Sequence, residues 1–495
     1  MTFNQAVPNW LMQRAYLTPE RVAIKINQRE ITFQELHNQV LLTAAKLQEL
    51  GVKKGSKIGL LSHNSVEMVE VLHALKYIGA ITVMLNTRLT KSELLWQLKD
   101  AESECVFVGS GVIDIIKAEA PIPVVSFQTL FNANATSKNL IIQEEFHLQD
   151  LDTIMYTSGT TGNPKGVVHT YGNHYWSAIG SALNLGIHQD DCWLACVPFF
   201  HVSGLSILMK SVIYGMKVVL QDPFDPKQIN KAIIEEKVTI ISVVGIMLQQ
   251  MIRKHEEMKT RYPESLRCVL LGGGPASKEL LERSRDLSIP VYQTYGMTET
   301  ASQIVSLSPE YSLSKLGSAG KPLFHSQAKI IRDGKEQPPM EVGEIVVKGP
   351  TVTSGYYNQT DATSTAIKKG WLSTGDMGYL DQEGFLFVLD RRKDLIISGG
   401  ENVYPAEIEG VLISHPKIQD AGVIGIEDEK WGQVPVAFIV SEDLTTEELQ
   451  SFCREKLAKY KVPKSVYFLD ELPRNATKKL QRHKLFEFLG KRESN

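Results

Sequence analysis

The stretch "YTSGTTGNPKGVVHT", Tyr156 to Thr170, gathers residue types suited to holding phosphate. Hydroxyls on Thr157, Ser158, Thr160 and Thr161 can donate to anionic oxygens, Gly159 and Gly162 let backbone N–H groups come close to an anion, and Lys165 adds a positive charge. The stretch is not the nucleotide loop G-x-x-x-x-G-K-[ST]. In that loop Lys directly follows the last Gly and a helix begins, whereas here Asn163 and Pro164 intervene and "GVVHT" reads as extended chain. Alone, the stretch is equally a hydroxyl-rich surface turn. Other groups invite the same double reading. Gly272, Gly273 and Gly274 follow the apolar "CVLL" as a strand-to-helix turn would; Glu299 in "YGMTET" suits the start of a helix; Lys478 and Lys479 belong to a basic patch near the C-terminus.

The elements that must position these groups alternate. "KIGLLSHNS", "AITVMLN", "KVVLQD", "TIISVVG" and "CVLLGGG" read as buried strands ending in turn residues, with helical patterns between them. That alternation predicts an α/β fold of parallel sheets covered by helices. From about Gly343, "GEIVVKG" and "GYLDQEGFLFVLD" read as hairpins of a small antiparallel unit. After Asp390 come two strands, "AGVIGI" and "VAFIV", and a helix, "TTEELQSFCREKLAKY", whose Thr445 and Glu448 are spaced as a capping box. A domain boundary is expected near Arg391 to Asp394.

A chain of 495 residues exceeds one ordinary core. Its net charge of -3 shows no basic excess, so no nucleic-acid partner is expected. Cys105, Cys192, Cys196, Cys268 and Cys453 form neither a disulfide framework nor a C-x-x-C site, which suits free thiols in a reducing compartment. The start lacks the apolar core of a signal peptide, and no apolar run reaches the roughly 20 residues that span a bilayer, so a soluble cytoplasmic protein is expected. Oligomeric state is left open, a homo-oligomer included.

Four later stretches stand in a fixed order: "YGMTET" (Tyr295 to Thr300), "WLSTGDMGYLD" (Trp371 to Asp381), "DRRKDLIISGGENVYPAEIE" (Asp390 to Glu409) and "LPRNATKKLQR" (Leu472 to Arg482). With the opening loop they resemble the motifs of the acyl-adenylate-forming superfamily of acyl-CoA ligases, peptide-synthetase adenylation domains and luciferases, along essentially the whole chain. The resemblance implies a large N-terminal domain of helix-covered sheets plus a small antiparallel β unit, residues 1–392, binding ATP and the acyl substrate. It also implies a small mobile α+β C-terminal domain, residues 393–495, carrying a catalytic lysine. The implied chemistry answers a specific need. A carboxylate is a poor acyl donor because its leaving group would be oxide; attaching AMP, with release of pyrophosphate, makes it one that a thiol can attack.

By the same resemblance the loop from Thr157 to Lys165 cradles the β- and γ-phosphates, Glu299 binds Mg2+ between phosphates, and Thr298 reaches the α-phosphate. Gly272 to Gly274 leave room for the adenine or acyl group, and Tyr295, with Gly296 beside it, stacks on adenine. Asp376 accepts from the ribose hydroxyls with Arg391 as a second contact. Lys393 is the hinge, Ser398, Gly399 and Gly400 border the channel for coenzyme A, and Lys479 is the catalytic lysine. Most members have Gly before that lysine; Lys478 here leaves open the loop's conformation and which lysine acts.

"PNWLMQRAYLTPER", "YGNHYWSAIGSALNLGI", "SQIVSLSPEYSLSKLGSAGKPLF" and "LPRN" narrow the resemblance to the o-succinylbenzoate:CoA ligases of bacterial menaquinone biosynthesis. Their substrate is an aromatic ring bearing two carboxylates, so an apolar wall and donors for the far carboxylate are needed. "VPFFHVSGL" offers Phe199, Phe200 and His201 as wall, and Ser203, with Ser302 and Gln303 further along the chain, reads as a set of neutral donors, each also readable as a core aromatic or turn hydroxyl. The competing readings are a ligase for another aryl or medium-chain acid, a catalytically impaired nucleotide-binding sensor, and a carrier-loading module.

Overall fold

The computed structural model describes residues 5–116, 120–134, 140–157, 164–274, 276–391, 395–441, 444–473 and 480–489. The chain divides into two compact units. The first comprises Met1–Thr87, Leu98–Tyr156 and Gly166–Leu389, the second Arg88–Gln97, Thr157–Lys165 and Asp390–Asn495.

Two large sheets build the first unit. In one, the strands Lys57–Leu61, Ile81–Leu85 and Leu151–Thr157 lie side by side in parallel register, with Lys165–Thr170 next to the last of them. In the other, Lys217–Leu220, Cys192–Ala195, Ile240–Val244, Cys268–Gly272 and Val291–Met297 run parallel. Each predicted buried strand is present. Their near-continuous apolar runs reflect cover on both faces.

The antiparallel portion begins earlier than the change of texture at Gly343. Ser302–Leu307 already pairs antiparallel with Val291–Met297, and the ladder continues through Ser318–Pro322, Leu386–Arg391, Trp371–Leu380 and Gly343–Lys348. "SQIVSL" is buried on both faces, so it carries no polar–apolar alternation to mark the change of direction.

Between and around the sheets, the helix Val66–Ile78 is enclosed on all sides and includes the buried polar residues Glu70, His73 and Lys76. The helix Tyr171–Leu185 starts with a reciprocal cap between Thr170 and Asn173. Val202–Tyr214 ends at Gly215, whose left-handed φ of 74° lets the chain leave without a Cβ clash.

In the second unit the long hairpin Ile418–Asp428 with Gly432–Ser441 is flanked by Ile396–Ser398 and by Ser465–Phe468. The helices Pro405–Ile413 and Thr446–Lys456 bury Ile408, Leu412, Leu449 and Cys453 against it. The Thr445 and Glu448 capping box is formed as the spacing predicts.

Candidate functional site

A tight turn of the first unit carries Thr298 and Glu299. Thr298–Thr300 is a single 3₁₀ turn, followed by Ala301 at φ 49° and Ser302 at φ 99°. Two successive non-Gly residues at positive φ are costly, and they persist only where surrounding bonds over-determine them. Those bonds are present. His169 Nε2 lies 2.6 Å from the Thr298 carbonyl, the Thr353 N–H donates to Glu299 O at 2.8 Å, Ser177 Oγ to Ala301 O at 2.7 Å, and Thr300 Oγ1 to Ser302 O at 2.7 Å. Tyr356 Oη donates to the Glu299 carboxylate at 3.0 Å. Gly296 is required one step earlier: a Cβ there would stand 2.0 Å from the Ser302 carbonyl oxygen.

Asp376 is buried on the neighbouring strand, its N–H donating to Thr374 Oγ1 at 3.1 Å, and Tyr295 Oη donates to its carboxylate. Tyr295 is itself buried among Ile304, Val305, Ile345 and Leu386. Gly272, Gly273 and Gly274 stand at the end of Cys268–Gly272, as the strand-to-turn reading expects.

Phe199 and Phe200 are both buried in the core, and Phe200 meets His201 edge to face at 4.8 Å just before Val202–Tyr214. Ser203 is exposed. Gln303 is buried, and neither end of its amide has a partner among the described residues. A buried amide without partners leaves polar atoms that a ligand or water can satisfy.

One residue on this helix is not singled out by its sequence context. Lys210, two turns beyond Ser203, is 1% exposed; its Nζ reaches Ser206 Oγ at 3.4 Å and lies 5.0 Å from the centre of the Trp193 ring. Burial pushes its ammonium down to about 8. No carboxylate among the described residues is paired with it. A lysine in "GLSILMKSV" reads as a solvated helix face, and only the apolar residues all round it hint otherwise.

In the second unit Ser398, Gly399 and Gly400 form the turn from Ile396–Ser398 into Glu401–Val403. The Gly399 N–H donates to the Trp431 carbonyl at 2.7 Å, and a Cβ on Gly399 would stand 2.8 Å from the Trp431 ring. Gln481 N donates to Pro473 O at 2.8 Å. Thr157 closes the strand Leu151–Thr157 and Lys165 opens the strand Lys165–Thr170. Ser158, Gly159, Thr160, Thr161, Gly162, Lys393, Lys478 and Lys479 lie outside the described residues, as does the side chain of Arg391.

The site can hold a metal only in a particular way. Among the described residues no group of three or more His, Cys, Asp or Glu could cage an ion. Mg2+ commonly uses one or two carboxylates together with substrate phosphates and water, and a single well-anchored Glu299 fits that donor set.

Residues 11–357 match the model of the AMP-binding enzyme family, and residues 407–479 match its C-terminal domain. The chain belongs to the AMP-binding enzymes. It is 58% identical over 492 residues to a 2-succinylbenzoate--CoA ligase of Geobacillus sp. (strain WCH70), covering 99% of each chain. Among solved structures, a double mutant of o-succinylbenzoate CoA synthetase from Bacillus subtilis, bound with the product analogue OSB-NCoA, is 50% identical. It matches with a TM-score of 0.94, covering 98% of this chain and 99% of that one. The Bacillus subtilis protein in complex with the acyl-adenylate intermediate OSB-AMP matches at TM-score 0.77, with 50% identity over 97% of this chain and 98% of that one. Its complex with ATP and magnesium ion also matches at 0.77, with 49% identity over 97% and 100%.

Proposed function

We propose that this AMP-binding enzyme is an ATP-dependent ligase that converts 2-succinylbenzoate to 2-succinylbenzoyl-CoA in menaquinone biosynthesis, through an acyl-adenylate and with release of AMP and pyrophosphate. The observation that carries the reading is likeness along the whole chain, 58% over 99% of both lengths, to a 2-succinylbenzoate--CoA ligase. The geometry adds a reason for a second carboxylate. Lys210 is a buried cation without an anion among the described residues, on the helix Val202–Tyr214 that His201 precedes. Such a cation is costly until an opposite charge reaches it. Gln303 supplies unpartnered polar atoms of the kind a buried ligand satisfies.

In this reading ATP lies with its phosphates on Thr157, Ser158, Gly159, Thr160, Thr161, Gly162 and Lys165. Asp376, aimed by Tyr295, accepts from the ribose hydroxyls beside Arg391. Gly272 to Gly274 and Gly296 keep side chains out of the space for adenine and the acyl group. Glu299 would hold Mg2+, which when bound neutralises phosphate charge. Thr298 and Lys479 place donors where negative charge grows as a carboxylate oxygen attacks the α-phosphorus and pyrophosphate leaves. The thiol sulfur of coenzyme A, entering beside Ser398, Gly399 and Gly400, then attacks the acyl carbon, and AMP departs. Residues 1–392 act as the adenylating domain and 393–495 as a domain that turns about Lys393 between the two steps. Among the described residues no helix is long and apolar enough to cross a membrane. Five unbridged cysteines suit the reducing cytoplasm in which we place the chain.

The deciding experiment is a panel of aryl, dicarboxylic and medium-chain acids assayed for AMP release with and without coenzyme A. The reading requires 2-succinylbenzoate to give the highest kcat/KM and AMP release to rise on adding the thiol. Preference for a monocarboxylic acid would overturn it.

A further inference from the structure

A chain of buried polar groups runs through the first unit and ends on the turn that bears Glu299. At its inner end the Lys76 ammonium donates to both oxygens of Asp152. His174 Nε2 lies 3.3 Å from Asp152 Oδ2 and 3.1 Å from Thr153 Oγ1; Thr153 Oγ1 lies 3.4 Å from His169 Nδ1; and His169 Nε2 lies 2.6 Å from the carbonyl oxygen of Thr298. All five side chains belong to residues 2% exposed or less, so water cannot substitute for any link.

The direction of every bond in this chain follows from its last member. A carbonyl oxygen can only accept, so His169 Nε2 carries a hydrogen. A neutral imidazole then has Nδ1 as an acceptor, which takes the Thr153 hydroxyl hydrogen. The Thr153 oxygen, having donated, is left to accept from His174 Nε2–H. That leaves His174 Nδ1 as a bare acceptor, and it is indeed without a partner among the described residues. A buried acceptor is more readily left unpaired than a buried N–H. The tautomers of His169 and His174 are thus tied together through the Thr153 hydroxyl, with the Asp152 carboxylate 3.3 Å from His174 Nε2. Burial keeps both rings neutral, His169 pushed down to about 4.

We propose that His169 is a positioning residue for adenylation: its Nε2–H, held in one tautomer by Thr153 and His174, fixes the Thr298 carbonyl and so the aim of Thr298 and Glu299. The inference rests on the ligase reading for the roles of those two residues. Neighbouring carbonyls of the turn take donors from a backbone N–H and two hydroxyls. His169 alone reaches the turn through a relay of buried side chains, Thr153 and His174.

Two measurements test it. With 15N-labelled histidine, long-range ring correlations at pH 7 should show His169 and His174 as neutral Nε2–H tautomers; an Nδ1–H or doubly protonated His169 would overturn the proposal. In the second measurement, ATP–pyrophosphate exchange with 2-succinylbenzoate is followed across a Mg2+ titration, alongside thioester formation from supplied acyl-adenylate without metal. His169→Leu should lose about thirtyfold in exchange and need about tenfold more Mg2+, the scale of one buried hydrogen bond to a critical group. Thioester formation should stay within about threefold, which also reports that the variant folds. His169→Gln, whose amide can still donate, should recover most of the loss, and Thr153→Val should repeat the pattern more weakly. Equal losses in both half-reactions, an unchanged Mg2+ requirement, or Gln no better than Leu would each overturn it. Absence of exchange by the unsubstituted chain with 2-succinylbenzoate, but not with another acid, would overturn the substrate alone.

Discussion

Tyr295 donates its hydroxyl to Oδ2 of Asp376 across 2.8 Å, joining the strand of "YGMTET" to the strand of "WLSTGD" within one core. The carboxylate is therefore oriented by a buried phenol before any nucleotide arrives. Asp376→Ala should weaken ATP and AMP together by about 2–3 kcal/mol, since charge-assisted bonds to two ribose hydroxyls are lost. Tyr295→Phe, which leaves the carboxylate but removes its aim, should cost about 1 kcal/mol. Titration calorimetry with each nucleotide measures both, and unchanged affinity in Asp376→Ala would remove that residue from the site.

Lys210 makes a different prediction, about the acid rather than the nucleotide. If its ammonium meets the far carboxylate, Lys210→Met should raise KM for 2-succinylbenzoate at least about tenfold and leave KM for ATP nearly unchanged. The protonated form is the one that binds, and burial has lowered its pKa to about 8. So kcat/KM for the dicarboxylate should hold below pH 8 and fall about tenfold per unit above it, a fall that Lys210→Arg should abolish. Equal KM values in Lys210→Met would leave the lysine a core residue resting on Trp193.

Much of the fold and of the site is legible in the amino-acid sequence itself, for a physical reason. Buried parallel strands end in turn residues, and a capping box needs two residues three apart, so "CVLLGGG" and "TTEE" declare their structure locally. The motif residues Tyr295, Glu299 and Asp376 are legible through their order along the chain. What stays hidden depends on packing between segments far apart in sequence. Phe199, Phe200 and Ser203 stand close together in sequence, yet both aromatics are buried and Ser203 is exposed. Lys210 and the Lys76–Asp152 pair look like ordinary charges because burial is decided by neighbours remote along the chain. Neither is a motif.

Glu70 tests the energetics of the core apart from the site. It is buried on the helix Val66–Ile78, and burial, helped by Glu67, raises its carboxyl to about 7 from an ordinary 4.5. Between those values the folded protein holds a proton that the unfolded chain has lost. Stability from this group is therefore fully present below pH 4.5 and declines as pH rises to 7, by about 3 kcal/mol at most. Glu70→Gln keeps the shape without the charge. It should be more stable than the parent at pH 7.5 by about 1–3 kcal/mol and nearly equal at pH 5, read from the unfolding midpoint at each pH. A parent whose midpoint does not fall between pH 5 and 7 relative to Glu70→Gln would show that the carboxyl finds charge compensation from Arg29 or Lys46.

The last prediction concerns which lysine does the chemistry. Lys478 and Lys479 lie outside the described residues, but the segment's two flanks are close: Gln481 N bonds to Pro473 O at 2.8 Å, and Leu480 packs beside the cluster of Leu472 and Leu485. Lys479 stands directly before Leu480 and keeps the spacing to Pro473 and Leu480 that the resemblance gives the catalytic lysine. A positive charge is needed at the α-phosphate only while charge develops there, in the first half-reaction. Lys479→Ala should therefore lose at least about a hundredfold in ATP–pyrophosphate exchange, the scale of removing one strong transition-state donor, and keep thioester formation from supplied acyl-adenylate within about threefold. Lys478→Ala should lose less than about tenfold in either step, as expected of a solvated charge whose field is screened. Single-turnover rates of the two half-reactions in both variants decide it: a greater loss of adenylation in Lys478→Ala would transfer the role to the residue that replaces the usual glycine.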